Sequence, residues 1–288
     1  MKNVLVVSNY NAGRKKGIKF KKTIQKFLLK NSDKFKFITI DELNKDVIGD
    51  FDTIIATGGD GTVSKIANLI IGTNKILGII PVGTANLLAA KLGITGNLNK
   101  NLQIIKKGNI KKIDIIKIND KYSILRTGFG WDCDIIVKTP QSVKNKFGYF
   151  AYFMAAFLFM NRLKKKKYEI ITEKNIINED ITLLMVSNAS NLFMNFFETG
   201  KNTSLEDGEF ELFYIKTKNP LYFFFELFKI FINHKKNTKN VRFLKAKSIK
   251  IKNRWAICHI DGEREYLKDD ISIQIIPKAI NVIAAANK

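Results

Sequence analysis

The residues best equipped for chemistry stand together at Gly58-Gly-Asp-Gly-Thr62. There an apolar run, 54–56, gives way to apolar residues at helical spacing: Val63, Ile66, Ala67, Ile70 and Ile71. Glycines at a strand-to-helix junction let the backbone approach a ligand closely, and the N–H groups at the helix start then point at phosphate oxygens. Asp60 is the exceptional residue, because a carboxylate beside polyphosphate repels it unless a cation intervenes. Its presence argues for Mg²⁺ or for proton transfer at that point. A tight turn capped by Asp60 or Thr62 would use the same residues without chemistry.

A second loop of this kind, Pro81-Val-Gly-Thr-Ala-Asn86, follows the apolar run 76–80 and leads into a helix that stops near Gly93. The elements that must position both loops alternate. Strand 4–8 is followed by a helix with Phe20, Ile24, Phe27 and Leu28 on one face, then by strands 35–40, 52–58 and 76–80 with helices between them. That alternation predicts a parallel sheet with right-handed crossovers, and ligands of such sheets bind at the carboxyl ends of the strands. Three loops, starting at Asn9, Gly58 and Gly83, therefore leave one edge and can converge on one nucleotide. The chain has neither G-x-x-x-x-G-K-[ST] nor G-x-G-x-x-G, which excludes the P-loop and dinucleotide fingerprints.

Beyond about residue 108 the pattern changes to short, often alternating strands at 112–118, 122–127, 168–172, 181–187, 209–215, 248–252, 256–260 and 271–276. These predict a mainly antiparallel sandwich. Two apolar helices interrupt it, 149–163 leading into Lys164-Lys-Lys-Lys167 and 221–232 leading into His234-Lys-Lys236. Both are too short to span a bilayer, and each either packs across the sandwich or docks at an anionic membrane interface.

A chain of 288 residues with 45% hydrophobic content suits two domains. The net charge of +23 attracts nucleic acid, anionic lipid or nucleotides. Joint abundance of Lys, Asn, Ile and Phe is also what an AT-rich coding sequence produces, and no recognition helix, RNP or zinc-finger pattern accompanies the charge, so no nucleic-acid partner is expected. Cys133 and Cys258 stand in no metal spacing and fit a reducing compartment. With no leader pattern after Met1, a cytoplasmic protein is expected. His234 and His259 read as solvated or structural rather than as metal ligands.

Gly58-Gly-Asp-Gly-Thr62 and Pro81-Val-Gly-Thr-Ala-Asn86 on consecutive strand ends resemble the diacylglycerol kinase catalytic-domain family, which includes sphingosine kinases and bacterial lipid kinases. Further stretches are similar in the right order: 9–17, Lys112-Ile-Asp114, Thr127-Gly-Phe-Gly-Trp-Asp132, Leu205-Glu-Asp-Gly-Glu209 and Asp261-Gly-Glu263. On spacing alone, the last two are turns.

The resemblance implies an ATP-dependent kinase that transfers the γ-phosphoryl group to a lipid hydroxyl with Mg²⁺. Its fold would be an N-terminal three-layer parallel-sheet α/β domain, Rossmann-like and akin to NAD kinase and phosphofructokinase, over 1–115 and completed by 280–288. A C-terminal antiparallel β-sandwich that binds lipid would cover 116–279. Carried over, ATP would be held by Thr57, Gly58, Gly59, Asp60, Gly61, Thr62, Val63, Ser64, Gly83, Thr84 and Asn86, with Asn9 and Thr39 alongside. Glu263 would be the general base, and Asp261, Asp60 and Asp114 would complete an acidic cluster for Mg²⁺ and substrate. Asp207 with the carbonyls of Ser204 and Glu209 resembles a second, structural Mg²⁺ site. Leu87 stands where many members have Asp, Lys65 where an acidic residue is usual, and 191–198 lacks the family's glycine turn.

The partners implied are a membrane-derived lipid substrate and peripheral contact with an anionic membrane surface, with room for a homodimer. The alternatives are an NAD kinase-type enzyme with a soluble acceptor and a non-catalytic nucleotide- or lipid-binding relative.

Overall fold

The computed structural model describes residues 1–9, 16–139, 143, 155, 158–159, 163–188, 204–233, 237–252 and 255–286. The chain forms two compact units, Met1–Ile113 with Lys278–Lys288, and Asp114–Pro277. The expected helix at 149–163 and the loop 191–198 lie almost wholly outside the described residues.

In the first unit, strands β1 (Asn3–Ser8), β2 (Lys34–Thr39), β3 (Thr53–Gly58) and β4 (Ile76–Pro81) form a parallel sheet in the order β2-β1-β3-β4. Between them run α1 (Lys16–Asn31), a short α2 (Lys45–Gly49) and α3 (Asp60–Ile70), followed by α4 (Leu87–Lys91) and α5 (Leu98–Lys107). Val4, Val6, Ile55 and Ile80 share one core with Ile24 and Leu28 of α1 and Leu102 and Ile105 of α5. Leu5, Val7, Ile54 and Ala56 are one residue out of phase, so they point to the other face. They are fully buried there, where α3 packs on β3 through Ile66, Ala67 and Ile70. The result is three layers, with β-strand carboxyl ends and two loops on one edge.

Strand β5 (Ile110–Ile118) runs from the first unit into the second, where β6 (Lys121–Ser123) and β7 (Arg126–Gly130) lead to α6 (Trp131–Lys138). Then come β8 (Lys166–Thr172), β9 (Ile176–Ile181), β10 (Leu183–Ser187), β11 (Phe210–Ile215), α7 (Pro220–Asn233), β12 (Val241–Ala246), β13 (Ser248–Lys252), β14 (Trp255–Ile260), β15 (Glu263–Lys268) and β16 (Ile271–Ile283). One antiparallel sheet has the order β12-β11-β10-β7-β14-β15. The opposing layer runs β16-β13-β8-β9, with β5 paired to β6 and β16. Phe129, Leu184, Val186, Phe210 and Leu212 of the first sheet meet Ile170, Ile249, Ile251, Ile271 and Ile273 of the second in one buried cluster. That is a β-sandwich. Helices α6 and α7 cover the outer face of the six-stranded sheet through Trp131, Ile135, Phe223 and Ile230.

Two expectations change. The run 122–127 is not one strand but two, β6 and β7, in different sheets. The break has a cause: the N–H groups of Ile124, Leu125 and Arg126 donate to the Asp261 carboxylate and are lost to strand pairing. The expected strand 271–276 runs on to Ile283 as β16, whose last part lies in the stretch expected to complete the first domain and pairs in parallel with β4 at Asn281 and Val282. Lys278, with φ of 53°, marks a kink within it.

Candidate functional site

The two glycine loops of the first unit are built against each other. Gly59 caps the start of α3, accepting from the N–H groups of Thr62 (3.0 Å) and Val63 (3.1 Å). A Cβ on Gly83 would fall 2.5 Å from Gly59 Cα, so the loops touch backbone to backbone with no room for a side chain. Asn86 holds the second loop by accepting from Gly83 N–H (3.1 Å) and donating to Gly83 O (2.7 Å), itself in the left-handed region at φ of 50°. Asp60 joins the two, since its Oδ1 accepts from Leu88 N–H at the start of α4 (3.4 Å). Asn9 N–H donates to Thr57 O (3.1 Å), which holds the end of β1 beside the end of β3.

This arrangement divides the expected ATP ligands. Thr57, Thr62 and Val63 are buried, and Gly58 lacks a side chain because a Cβ there would lie 2.3 Å from Thr62 Oγ1. Their side chains are scaffold beneath the loops. The hydroxyls of Thr57 and Thr62 are buried and have no hydrogen-bond partner among the described residues, polar groups at the base of an already polar loop pair. Gly59, Asp60, Gly61, Ser64, Gly83, Thr84 and Asn86 form the outer surface. Thr39 ends β2 beside Ser8, but its N–H and hydroxyl both donate to Glu42 Oε2 (2.6 and 2.8 Å). Those bonds hold the Glu42 carboxyl below its usual pKa. A cradle that excludes Cβ atoms, at a helix start, with a carboxylate at its centre fits Mg²⁺-bound polyphosphate.

The other candidates lie in the second unit. Asp261 and Gly262 make the two-residue turn of the β14–β15 hairpin, at φ of 48° and 95°, with Ile260 paired to Glu263. Asp261 is not displayed for metal binding. Its Oδ1 accepts from Ser123 Oγ (2.6 Å) and from the N–H groups of Leu125 (3.0 Å) and Arg126 (3.1 Å), and its Oδ2 from Ile124 N–H (2.9 Å). That engagement makes it a pin for the turn. Glu263, one residue beyond the turn, is exposed.

Beneath the turn lies a pair that sequence reasoning left without a task. His259 Nδ1 accepts from Gly262 N–H (3.3 Å), which leaves Nε2 to donate to Asp132 Oδ2 (2.7 Å). Both residues are buried, and Arg126 stands 3.9 Å from the other Asp132 oxygen. Burial alone would raise the Asp132 pKa, but Arg126 and His259 outweigh it and hold the carboxyl below its usual value. A Cβ on Gly128 would sit 2.0 Å from Asp132 Oδ2 and 2.6 Å from His259 Nε2. The sequence signal was Thr127-Gly-Phe-Gly-Trp-Asp132 itself, whose first glycine makes room for the pair.

Asp114 is fully buried and supports the acidic loop at 204–209. Its Oδ2 accepts from Gly208 N–H (2.7 Å) and its N–H donates to Leu205 O (2.7 Å). Ser204 Oγ accepts from Glu206 N–H (3.1 Å). Lys245, unforeseen from sequence, sits on the loop's carboxylates, 2.9 Å from Asp207 and 3.6 Å from Glu209. The Asp207 hydrogen bond raises the Lys245 pKa. The ammonium stands on the Asp207 carboxylate that the expected second Mg²⁺ site would use. Among the described residues no cluster of three or more His, Cys, Asp or Glu side chains could hold a metal.

The sequence model of the diacylglycerol kinase catalytic domain matches residues 3–118. A diacylglycerol kinase of Bacillus subtilis (strain 168) is 28% identical over 218 residues, 74% of this chain and 72% of that protein. One from Staphylococcus aureus (strain bovine RF122 / ET3-1) is 30% identical over 221 residues, 74% of this chain and 68% of that protein. A crystal structure described as a diacylglycerol kinase from Bacillus anthracis str. Sterne superposes with a TM-score of 0.73 at 20% identity, covering 98% of this chain and 97% of that one. That identity speaks for the fold alone.

Proposed function

This chain belongs to the diacylglycerol kinase catalytic-domain family, and on that premise we propose that it is a lipid kinase that transfers the γ-phosphoryl group of ATP to the hydroxyl of a diacylglycerol-like lipid. The observation that carries the reading is the contact of Gly59 with Gly83, bridged by Asp60. It makes one cradle of two loops that lie far apart in sequence.

Mg²⁺-bound ATP, when present, supplies the phosphoryl group, with the metal neutralising phosphate charge. Gly59, Gly61 and Gly83 give the backbone access to phosphate oxygens, with Ser64, Thr84, Asn86 and Asn9 around them. Asp60 is the residue that would hold the cation. Glu263 takes the proton from the lipid hydroxyl. Asp261, whose carboxylate accepts four hydrogen bonds from 123–126, and His259, bound through Gly262 N–H and backed by Asp132, fix the turn that precedes Glu263. The acceptor is held in a membrane, which the protein meets peripherally.

Glu263→Gln removes the base and keeps the shape. It is expected to reduce phosphoryl transfer by at least about 10²-fold while nucleotide affinity, measured by calorimetry, stays at the wild-type value. Turnover retained in this variant would remove Glu263 from its role.

A further inference from the structure

Helix α7 has its amphipathic pattern inside out. Phe223 and Ile230 pack on the outer face of the six-stranded sheet, and Trp131 meets Phe223 edge to face with ring centres 4.6 Å apart. The same inward side carries Glu226, only 5% exposed, whose carboxylate accepts from Thr238 Oγ1 (3.1 Å) and Asn240 Nδ2 (3.4 Å). The outward side carries Leu221 at 82%, Tyr222 at 62%, Phe224 at 56% and Phe225 at 54% exposure. At roughly 3.6 residues per turn these positions fall in one continuous arc opposite Phe223 and Ile230.

A lysine-rich composition does not explain that face. On α1 the exposed positions include Lys19, Lys21, Lys22, Lys26 and Lys30, as a solvated helix in this chain would have. On α7 the equivalent positions are aromatic or aliphatic, and a contiguous exposed apolar patch marks an interaction surface. The surroundings name the partner. Lys218 precedes the helix and is exposed, and Lys229 Nζ lies 4.6 Å over the Phe225 ring. Asn240, bonded to Glu226, also lines a pocket where Lys165, Lys167, Lys216 and Lys239 outnumber Glu179, which pairs with Lys216, and Asp180. A second copy of a chain carrying +23 would bring like charges together on such a contact. Aromatic side chains fit the boundary between headgroups and acyl chains, and lysines fit anionic headgroups. Among the described residues no helix is long and apolar enough to cross a membrane.

We propose that the outward face of α7 seats in the interface of an anionic bilayer, with the neighbouring lysines at the headgroups. From the lipid-kinase reading this takes only that the acceptor resides in a bilayer.

The test uses the full chain with vesicles of phosphatidylcholine and phosphatidylglycerol in equal parts, and with phosphatidylcholine alone. Leu221→Gln with Phe224→Gln changes two outward residues to good helix formers, so melting temperature should match wild type. Wild type should sediment with the anionic vesicles and not with the neutral ones, and the double variant should bind about tenfold more weakly or worse. Wild type staying in the supernatant, or a variant that binds as tightly as wild type, overturns the proposal. So does a lipid-free dimer that the substitutions dissociate, because the face then serves a second copy. Phosphorylation of a water-soluble short-chain diacylglycerol is read in parallel. Its loss in wild type would count against the kinase reading alone, and its persistence in the double variant is expected.

Discussion

Replacing Gly128 by alanine should be among the most damaging single-methyl changes in the second unit. The added Cβ lands 2.0 Å from Asp132 Oδ2, 2.9 Å from Asp132 Cγ and 2.6 Å from His259 Nε2. Neither partner has a way out. His259 is 0% and Asp132 3% exposed, Arg126 stands beside the carboxylate, and the imidazole is bound to Gly262 N–H. The methyl therefore separates the pair or displaces its strand, and leaving a buried carboxylate without its hydrogen bond costs about 3 kcal/mol. For a domain of this size a loss of about 3 kcal/mol lowers the melting temperature by roughly 6–12 °C. Scanning calorimetry reads the shift, with Gly49→Ala, where a Cβ meets nothing within 4 Å, as the control. If the methyl acts by evicting Asp132, adding Asp132→Ala should cost little more, as coupled neighbours do. A melting temperature within about 2 °C of wild type, or full additivity with Asp132→Ala, would refute the argument.

The same pair sets an acid limb. Because the folded Asp132 pKa lies below its unfolded value, its contribution is complete above about pH 3.9 and is lost as pH falls through the folded pKa. Wild type should melt above Asp132→Asn across the neutral range, with the gap closing only in acid; a gap constant down to the acid end would contradict the assignment. Gly83→Ala drives a Cβ to 2.5 Å from Gly59 Cα and so pries the cradle apart. Nucleotide affinity, measured by titration calorimetry, should fall about tenfold, the equivalent of the lower end of an overpacking cost, and unchanged affinity would show that the loop contact does not shape the site.

Which parts were legible in the sequence follows from burial. Strands β1, β3 and β4 of the first unit are sealed on both faces, so they read as continuous apolar runs, and the glycine loops after β3 and β4 are set by local backbone chemistry. The strands that sequence reasoning did not find are β9, β12 and β15, and each is the edge of its sheet. Edge strands carry polar and charged residues, as in Ile-Ile-Asn-Glu-Asp-Ile of β9 and Glu-Arg-Glu-Tyr-Leu-Lys of β15, so alternation is weak there. The site was legible in its residue types but not in their tasks. Asp261 reads as an acid for metal or substrate, yet its partners are the N–H groups of 124–126, more than a hundred residues earlier. Lys245 on Asp207 and His259 on Asp132 are likewise long-range pairs that carry no local pattern.

The most direct test of the central claim is transfer of label from γ-labelled ATP, with Mg²⁺, to lipids of a total extract in anionic mixed micelles, with NAD supplied in a parallel reaction. A labelled diacylglycerol-type product and unlabelled NAD are the predicted result. Label appearing in NADP, or in no acceptor while ATP binding is measurable, would contradict it.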